Sequence, residues 1–192
     1  GGAGNDRLLG GAGNDTADYS DASAKVVVNL GLGGAQNTLG AGKDILTSIE
    51  KLIGSDFNDA LFGNSGANAL TGGKGNDSLL GGGGNDILNG GSGVDKLAGG
   101  QGSDVFVFDK SAFSGIDQIM DFTGGADVLR LDNALFTSLA ASGPLSASHY
   151  RESANGLARD ANDVIDYDTT TGALSYDADG SGRIAPVQFE TL

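Results

Sequence analysis

GGKGNDSLL (72–80), GGGGNDILN (81–89), GGSGVDKLA (90–98) and GGQGSDVFV (99–107) are four copies of one nine-residue unit laid end to end. The same frame extends back through GNSGANALT (63–71) and GSDFNDALF (54–62), and it opens the chain as GGAGNDRLL (1–9) and GGAGNDTAD (10–18). Self-similarity at a short fixed period marks a solenoid, in which each unit buries its apolar residue by stacking on its neighbours. Glycine recurs at positions 1, 2 and 4, where a tight turn calls for positive φ or for close approach of the backbone to a ligand. Position 6 carries a carboxylate, seen as Asp6, Asp15, Asp59, Asp77, Asp86, Asp95 and Asp104. Position 8 is apolar throughout, as Leu8, Ala17, Leu61, Leu70, Leu79, Leu88, Leu97 and Phe106. Six residues of turn are thus expected to lead into a three-residue strand with one inward side chain. The fixed spacing of Asp and Leu separates this tract from a disordered Gly-rich linker, which has no reason to keep it.

Composition explains why such a chain needs help to fold. Of 192 residues 35 are glycine, aromatics make up 6%, and Trp is absent, so large side chains for a packed sandwich or bundle are scarce. The formal charge is −14, and Glu stands at 50, 152 and 190 alone, so nearly all the acid is Asp. That charge argues against nucleic acid and anionic membranes as partners. Cysteine is absent, which excludes disulfides and thiolate metal sites, and no apolar run reaches the ~18 residues of a membrane span. The first residues already sit inside a repeat and no Met initiates them, so the chain reads as the C-terminal piece of a larger protein.

The nonads resemble the RTX, or hemolysin-type, calcium-binding repeats, and the hard oxygen donors at position 6 suit Ca²⁺ better than softer metals. The fold this resemblance implies is all-β: a parallel β-roll of nonapeptide repeats with a β-rich cap after it. Two nonads make one coil, and each turn is expected to share an ion with the turn eighteen residues later. By that resemblance the earlier turn gives carbonyls from positions 2 and 4 plus its Asp, and the later one gives positions 1 and 3 plus its Asp. Gly73, Gly75 and Asp77 would then share an ion with Gly90, Ser92 and Asp95. Gly82, Gly84 and Asp86 would share another with Gly99, Gln101 and Asp104, and Gly91 and Gly93 occupy the same donor positions beside Asp95. A third set joins Ser55, Phe57 and Asp59 to Gly72, Lys74 and Asp77. A fourth joins Asn64, Gly66 and Asn68 to Gly81, Gly83 and Asp86, with one charge fewer because Asn68 replaces the Asp, so this is expected to be the weakest.

Between the arrays, at 19–53, the frame is interrupted. Val26–Val28 suggests a strand, and LGAGKDILT (39–47) is a worn copy of the nonad. Counting back from Gly54 instead places Glu50 at the carboxylate position and Leu52 at the core position, so the two frames conflict and one of them is expected to hold. Serralysin-type proteases are similar here, and the resemblance implies an ion held by Ser48, Glu50, Gly10, Ala12, Gly13 and Asp15.

After Phe108 glycine thins from 27 residues in the first 107 to 8 in the last 85. The expected division is a roll over 1–107 and a β-rich subdomain over 108–192. GIDQIMDFTGGADVLRLDNALF (115–136) reads as two strands about a Gly-Gly turn with Ile116, Ile119, Phe122, Val128 and Leu131 in the core. This segment resembles the one that follows the array in serralysin-like proteins, which implies that Asp117, and with it Asp109, closes the turn of Gly100, Gly102 and Asp104. ALFTSLAAS suggests a short helix within 134–148, and a Thr-Gly pair implies a hairpin in 163–192. DADGSGRI (177–184) looks like an EF-hand opening, yet Gln188 stands where the bidentate Glu belongs, so a hairpin turn is expected. His149 has no second His and no nucleophile nearby, so it is expected on a loop or the surface.

No catalytic triad, HExxH or paired-acid constellation is present, and the chain is expected to be no enzyme, with any catalysis upstream. The resemblance implies a secreted, extracellular bacterial protein of a Gram-negative host, exported by type I secretion machinery that reads a signal in 108–192. Several Ca²⁺ ions would be its cofactors. The competing function is a module for extracellular polysaccharide or a cell surface, as in adhesins or the repeat modules of alginate epimerases; Lys43, Lys51, Lys74 and Lys96 are too scattered to argue it.

Overall fold

The computed structural model describes residues 1–109, 114–139, 150–153, 164–178 and 187–192. Its strands are β1 (Arg7–Leu9), β2 (Thr16–Asp18), β3 (Val27–Asn29), β4 (Gln36–Asn37), β5 (Lys43–Thr47), β6 (Lys51–Ile53), β7 (Ala60–Phe62), β8 (Ala69–Lys74), β9 (Ser78–Gly83), β10 (Ile87–Ser92), β11 (Lys96–Gln101) and β12 (Val105–Phe108). Beyond the array come β13 (Asp117–Ile119), β14 (Val128–Leu131), β15 (Tyr150–Ser153), β16 (Ile165–Asp168), β17 (Ala173–Tyr176) and β18 (Val187–Thr191). Successive strands of the array alternate between two sheets. One has six strands in the order β14-β12-β10-β8-β6-β2, and the other has nine in the order β15-β16-β17-β18-β13-β11-β9-β7-β3. A third, of β1-β5-β4, flanks the N-terminal coil.

The two-nonad coil is confirmed residue by residue. Leu70 lies over Leu52 and under Leu88, Leu88 lies under Phe106, and in the facing sheet Leu61, Leu79 and Leu97 form a matching column, all pairings parallel. These position-8 side chains are 0–1% exposed from Leu52 to Phe106, so the solenoid core is a double file of leucines closed by Phe106. Each buried Leu contributes ~1.5–3 kcal/mol, but the files are only two side chains wide, and turns rather than apolar layers form the rest of each coil. The strands of β8 to β11 are six residues long, not three, because the ladder continues into the turn: Gly91 pairs with Gly73 and Ser92 with Lys74.

Two strands do form in 115–136, but they do not make a hairpin. β13 joins the nine-stranded sheet beside β11 and β14 joins the six-stranded sheet beside β12, so they act as one more coil. Asp117 and Asp127 then stand at position 6, which puts Ile119 and Leu129 at the inward position 8. That register corrects the expected core: Ile119 is buried, whereas Ile116 and Val128, at positions 5 and 7, are 44% and 53% exposed. Over 133–139 the chain makes consecutive turns hung on Asp132, whose backbone oxygen accepts both Leu135 N and Phe136 N, in place of the expected helix. Phe136 leaves the turn to pack edge-on against Tyr176 and Phe189, ring centroids 5.1 and 5.2 Å away, and that burial sets the path. The expected hairpin joins β16 to β17 through Gly172 at φ 76°. His149, the remainder of 140–148 and the EF-hand-like loop from Asp179 to Ile184 lie outside the described residues.

Candidate metal sites

The position-6 carboxylates form ladders along the coil axis. Asp59 N donates to Asp77 Oδ1 at 2.7 Å, Asp77 N to Asp95 Oδ1 at 2.8 Å and Asp95 N to Asp117 Oδ1 at 2.9 Å. On the facing side Asn68 N donates to Asp86 Oδ1 at 2.7 Å, Asp86 N to Asp104 Oδ1 at 2.8 Å and Asp104 N to Asp127 Oδ1 at 3.0 Å. One carboxylate oxygen of each residue is thereby used. The other, Oδ2 of Asp77, Asp86, Asp95 and Asp104, is buried with no donor, and the same holds at Asp6 and Asp15. A carboxylate oxygen withdrawn from water without a partner is costly, so these six turns require a positive charge or a proton.

The glycine pattern explains how the oxygens come to be stranded. At position 1 the expectation of positive φ is corrected: Gly72, Gly81, Gly90 and Gly99 are absent from the left-handed region, and their role is steric. A Cβ at any of them would overlap Oδ2 of Asp77, Asp86, Asp95 or Asp104, because the carboxylate folds back onto the start of its own turn. Position 2 does need positive φ. Gly73, Gly82, Gly91 and Gly100 sit at φ 113°, 108°, 98° and 97°, and Gly75, Gly84, Gly93 and Gly102 at position 4 are left-handed too.

Electrostatics point the same way. Burial first, and then the charges of Asp95, Asp59 and Asp117, push the Asp77 carboxyl up to about 7; burial and Asp104 push Asp86 up to about 6. Burial also raises Asp95 and Asp104, and it lifts Asp117 to about 7 with help from Asp95. Among the described residues the ion pair of Lys74 with Asp56, 2.6 Å apart, is exposed, and none joins a ladder carboxylate. No three His, Cys, Asp or Glu side chains cluster as a metal site among the described residues, so any cation held here takes most of its ligands from backbone carbonyls. Backbone carbonyls and paired Asp oxygens are the donor chemistry of Ca²⁺, and the orphaned Oδ2 atoms fit that ion.

The structure brings together the two expected regular sets. Gly90 and Gly91 stack on Gly72 and Gly73 beside Asp77 and Asp95; Gly99 and Gly100 stack on Gly81 and Gly82 beside Asp86 and Asp104. Ser92 O accepts Gly75 N at 2.9 Å, so that expected donor also serves the ladder. The two departing sets differ. Asp59 Oδ2 takes Ser55 N at 2.5 Å and Ser55 Oγ at 3.0 Å, and its Oδ1 takes Val26 N at 2.7 Å. Asn68 Oδ1 takes Asn64 N at 2.7 Å. Phe57 and Gly66, which close these turns, donate their own amides to Ser55 Oγ and Asn64 Oδ1.

At the first array Asp15 N donates to Glu50 Oε2 at 3.0 Å, and Ser48 O lies against Gly10, so the expected group of Gly10, Asp15, Ser48 and Glu50 does assemble. The two conflicting frames are both used, which overturns the expectation that one excludes the other. Asp44 stacks on Asp6 and Glu50 stacks on Asp15, with a six-residue step between the two acids where a nonad would give nine. Ser48, at φ 53°, makes the shortened turn.

The closing residues are corrected. Asp117 pairs with Asp95, not with the turn of Gly100, Gly102 and Asp104, and Asp109 stands at the opposite end of β12 from Asp104, accepting Asn89 Nδ2 at 2.9 Å. The 99–104 turn is closed by Asp127 on Asp104 N and by Asp121, whose two oxygens take Gly99 N and Gly100 N at 2.9 Å each. Asp127-Val128-Leu129 carries the same Asp-x-apolar spacing as Asp104-Val105-Phe106, and that signal could have found it. The last carboxylate in line is Glu190 of β18, which pairs with Asp117, takes Ile119 N at 2.9 Å, and is pushed up to about 8 by burial and then by Asp117 and Asp95.

Comparison with known families returns the RTX calcium-binding nonapeptide repeat in four copies, over 1–19, 40–79, 53–88 and 71–106. The matches leave out 20–39, within the interruption, and 107–192, beyond the array. No curated protein matches the chain.

Proposed function

The chain carries RTX calcium-binding nonapeptide repeats, and from that premise we propose that it is the part of an exported protein that folds when calcium is encountered outside the cell. One observation carries this reading: the buried Oδ2 atoms of Asp77, Asp86, Asp95 and Asp104, stacked in pairs with no donor. Bound calcium supplies the positive charge that allows such carboxylates to remain ionised in a dry turn. Gly73, Gly75 and Asp77 with Gly90, Ser92 and Asp95 would hold one ion, and Gly82, Gly84 and Asp86 with Gly99, Gln101 and Asp104 another. Without it the carboxylates repel, and glycine-rich turns have much backbone entropy to lose.

Where calcium is scarce the array stays extended and can be threaded; where it is abundant, occupancy stabilises the fold. This suits type I secretion, with the signal in the last part of 108–192 and catalysis, where the parent has any, in another domain. Three of the lysines that could favour the glycan-binding alternative do not gather: Lys51 and Lys96 lie in different sheets and Lys74 is paired with Asp56. Circular dichroism during a calcium titration tests the proposal. A cooperative gain of β signal is expected, with magnesium substituting poorly because it demands a smaller octahedral shell. A spectrum unmoved by chelator would end it.

A further inference from the structure

Among the described residues, the nine turns of the nonad copies at 1–18, 39–47 and 54–107 carry a position-6 side chain whose second oxygen, or whose amide, must be satisfied, and they fall into two sets. Where position 2 is a left-handed glycine, at Gly2, Gly11, Gly73, Gly82, Gly91 and Gly100, the acid of that turn, Asp6, Asp15, Asp77, Asp86, Asp95 or Asp104, has a buried oxygen with no donor. Where position 2 is not left-handed, at Gly40, Ser55 and Asn64, the side chain at position 6 is bonded within the protein. Ser55 N and Asn64 N turn inward onto Asp59 and Asn68. Asp44, which is fully buried, is served from elsewhere: Tyr19 Oη donates to its Oδ2 at 3.1 Å, Thr38 Oγ1 lies at 3.1 Å from the same oxygen, and Asp6 N reaches Oδ1 at 2.9 Å. Burial and Asp44 hold the Tyr19 phenol above its ordinary value, so it keeps the proton it donates.

We propose that the backbone sign at position 2 decides which turns take a cation, and that the section from Tyr19 to Asn68, whose turns are closed by amides and hydroxyls, is a calcium-independent nucleus on which the cation-dependent coils stack. The inference rests on the calcium reading for the later coils only. Packing supports the nucleus. Tyr19, Val26, Val28, Ala41, Leu46, Ile49 and Leu52 are all buried, a broader apolar group than the one Leu per strand of β9 to β11. Asn29 and Gln36 bond each other twice, Asn29 N to Oε1 at 2.7 Å and Nε2 to Asn29 O at 2.9 Å, and Gly40 N reaches Lys25 O at 3.1 Å, so the hairpin over 26–47 closes without any ion.

Amide hydrogen exchange on the full chain, in chelator and in calcium, tests this. In chelator, Asn29, Leu30, Thr38 and Ala60, whose amides are bonded within the section, should exchange about 100-fold or more slowly than Gly75, Lys96 and Val105, a contrast that calcium abolishes. Ser55→Gly is the second arm: it should free Asp59, lower the chelator protection of 55–62 by about tenfold, and raise the calcium taken up at saturation. Uniform exposure in chelator, or a Ser55→Gly chain unchanged in both readouts, overturns the inference while leaving the calcium reading intact. Uniform protection with and without calcium overturns both.

Discussion

The coils from 72 to 107 and the section from 19 to 62, which holds the interruption and the first nonad after it, use one architecture and satisfy it differently. In the regular coils every turn repeats, β9, β10 and β11 each bury one Leu, and carboxylate oxygens are left without donors. In that section the repeat is broken by the antiparallel β4–β5 pair and by the short step from Asp44 to Glu50, while Asp44 and Asp59 are bonded by Tyr19, Thr38 and Ser55. Regularity of sequence is therefore no measure of self-sufficiency here. The most perfect repeats are the least complete as protein, and the degenerate stretch supplies its own donors.

The comparison can be broken most forcefully at the core. Leu88→Ala should cost about 2–5 kcal/mol in calcium, since Leu70 and Phe106 above and below cannot close the gap, read as a lowered thermal midpoint of the array. Loss of Asp95 comes next. Asp95→Asn should weaken the calcium response at least about tenfold, ~1.4 kcal/mol, whereas Asp59→Asn should change it far less because Ser55 already binds that carboxylate. Equal effects of the two in a calcium titration would erase the distinction between the regions.

A graded effect follows from pH. Folded values of about 7 for Asp77 and Asp117 and about 6 for Asp86 stand above the ordinary 3.8, so these groups hold protons more tightly in the folded state. Their contribution to the metal-free roll is full below pH ~4 and is lost as pH rises through about 6 to 7. In chelator, β signal from the array should therefore be greatest in mild acid and fade toward neutrality. A metal-free roll that gains structure on going from pH 5 to 8 would contradict this. The smallest change expected is at Lys74→Ala, where an exposed ion pair with Asp56 is worth at most about 1 kcal/mol in the same thermal measurement.

Much of this was legible in the sequence, because a period of nine with Asp at position 6 and an apolar residue at position 8 leaves little freedom: it gives the coil, the inward Leu file and the stacking of Asp77 on Asp95. What was not legible depends on loop length. Asp95 to Asp117 spans 22 residues and Asp104 to Asp127 spans 23, against 18 inside the array, and no period predicts which acid meets which turn once the count changes. Asp117 therefore meets the turn of Asp95 where the resemblance implies that of Asp104, and Asp127 takes that place. The bonding of Asp44 by Tyr19, 25 residues away, is a tertiary contact that no local pattern encodes.

The parallel seam between β13 and β18 ties residue 190 to residue 117. A sheet that would otherwise end in a row of bare amides at β13 is covered by the chain's final strand, and exposed edges of that kind recruit strands from other molecules. Losing 187–192 should thus show itself as loss of solubility, with rolls joining end to end through the uncovered strand, besides the loosening of the cap that follows from removing the buried Phe189.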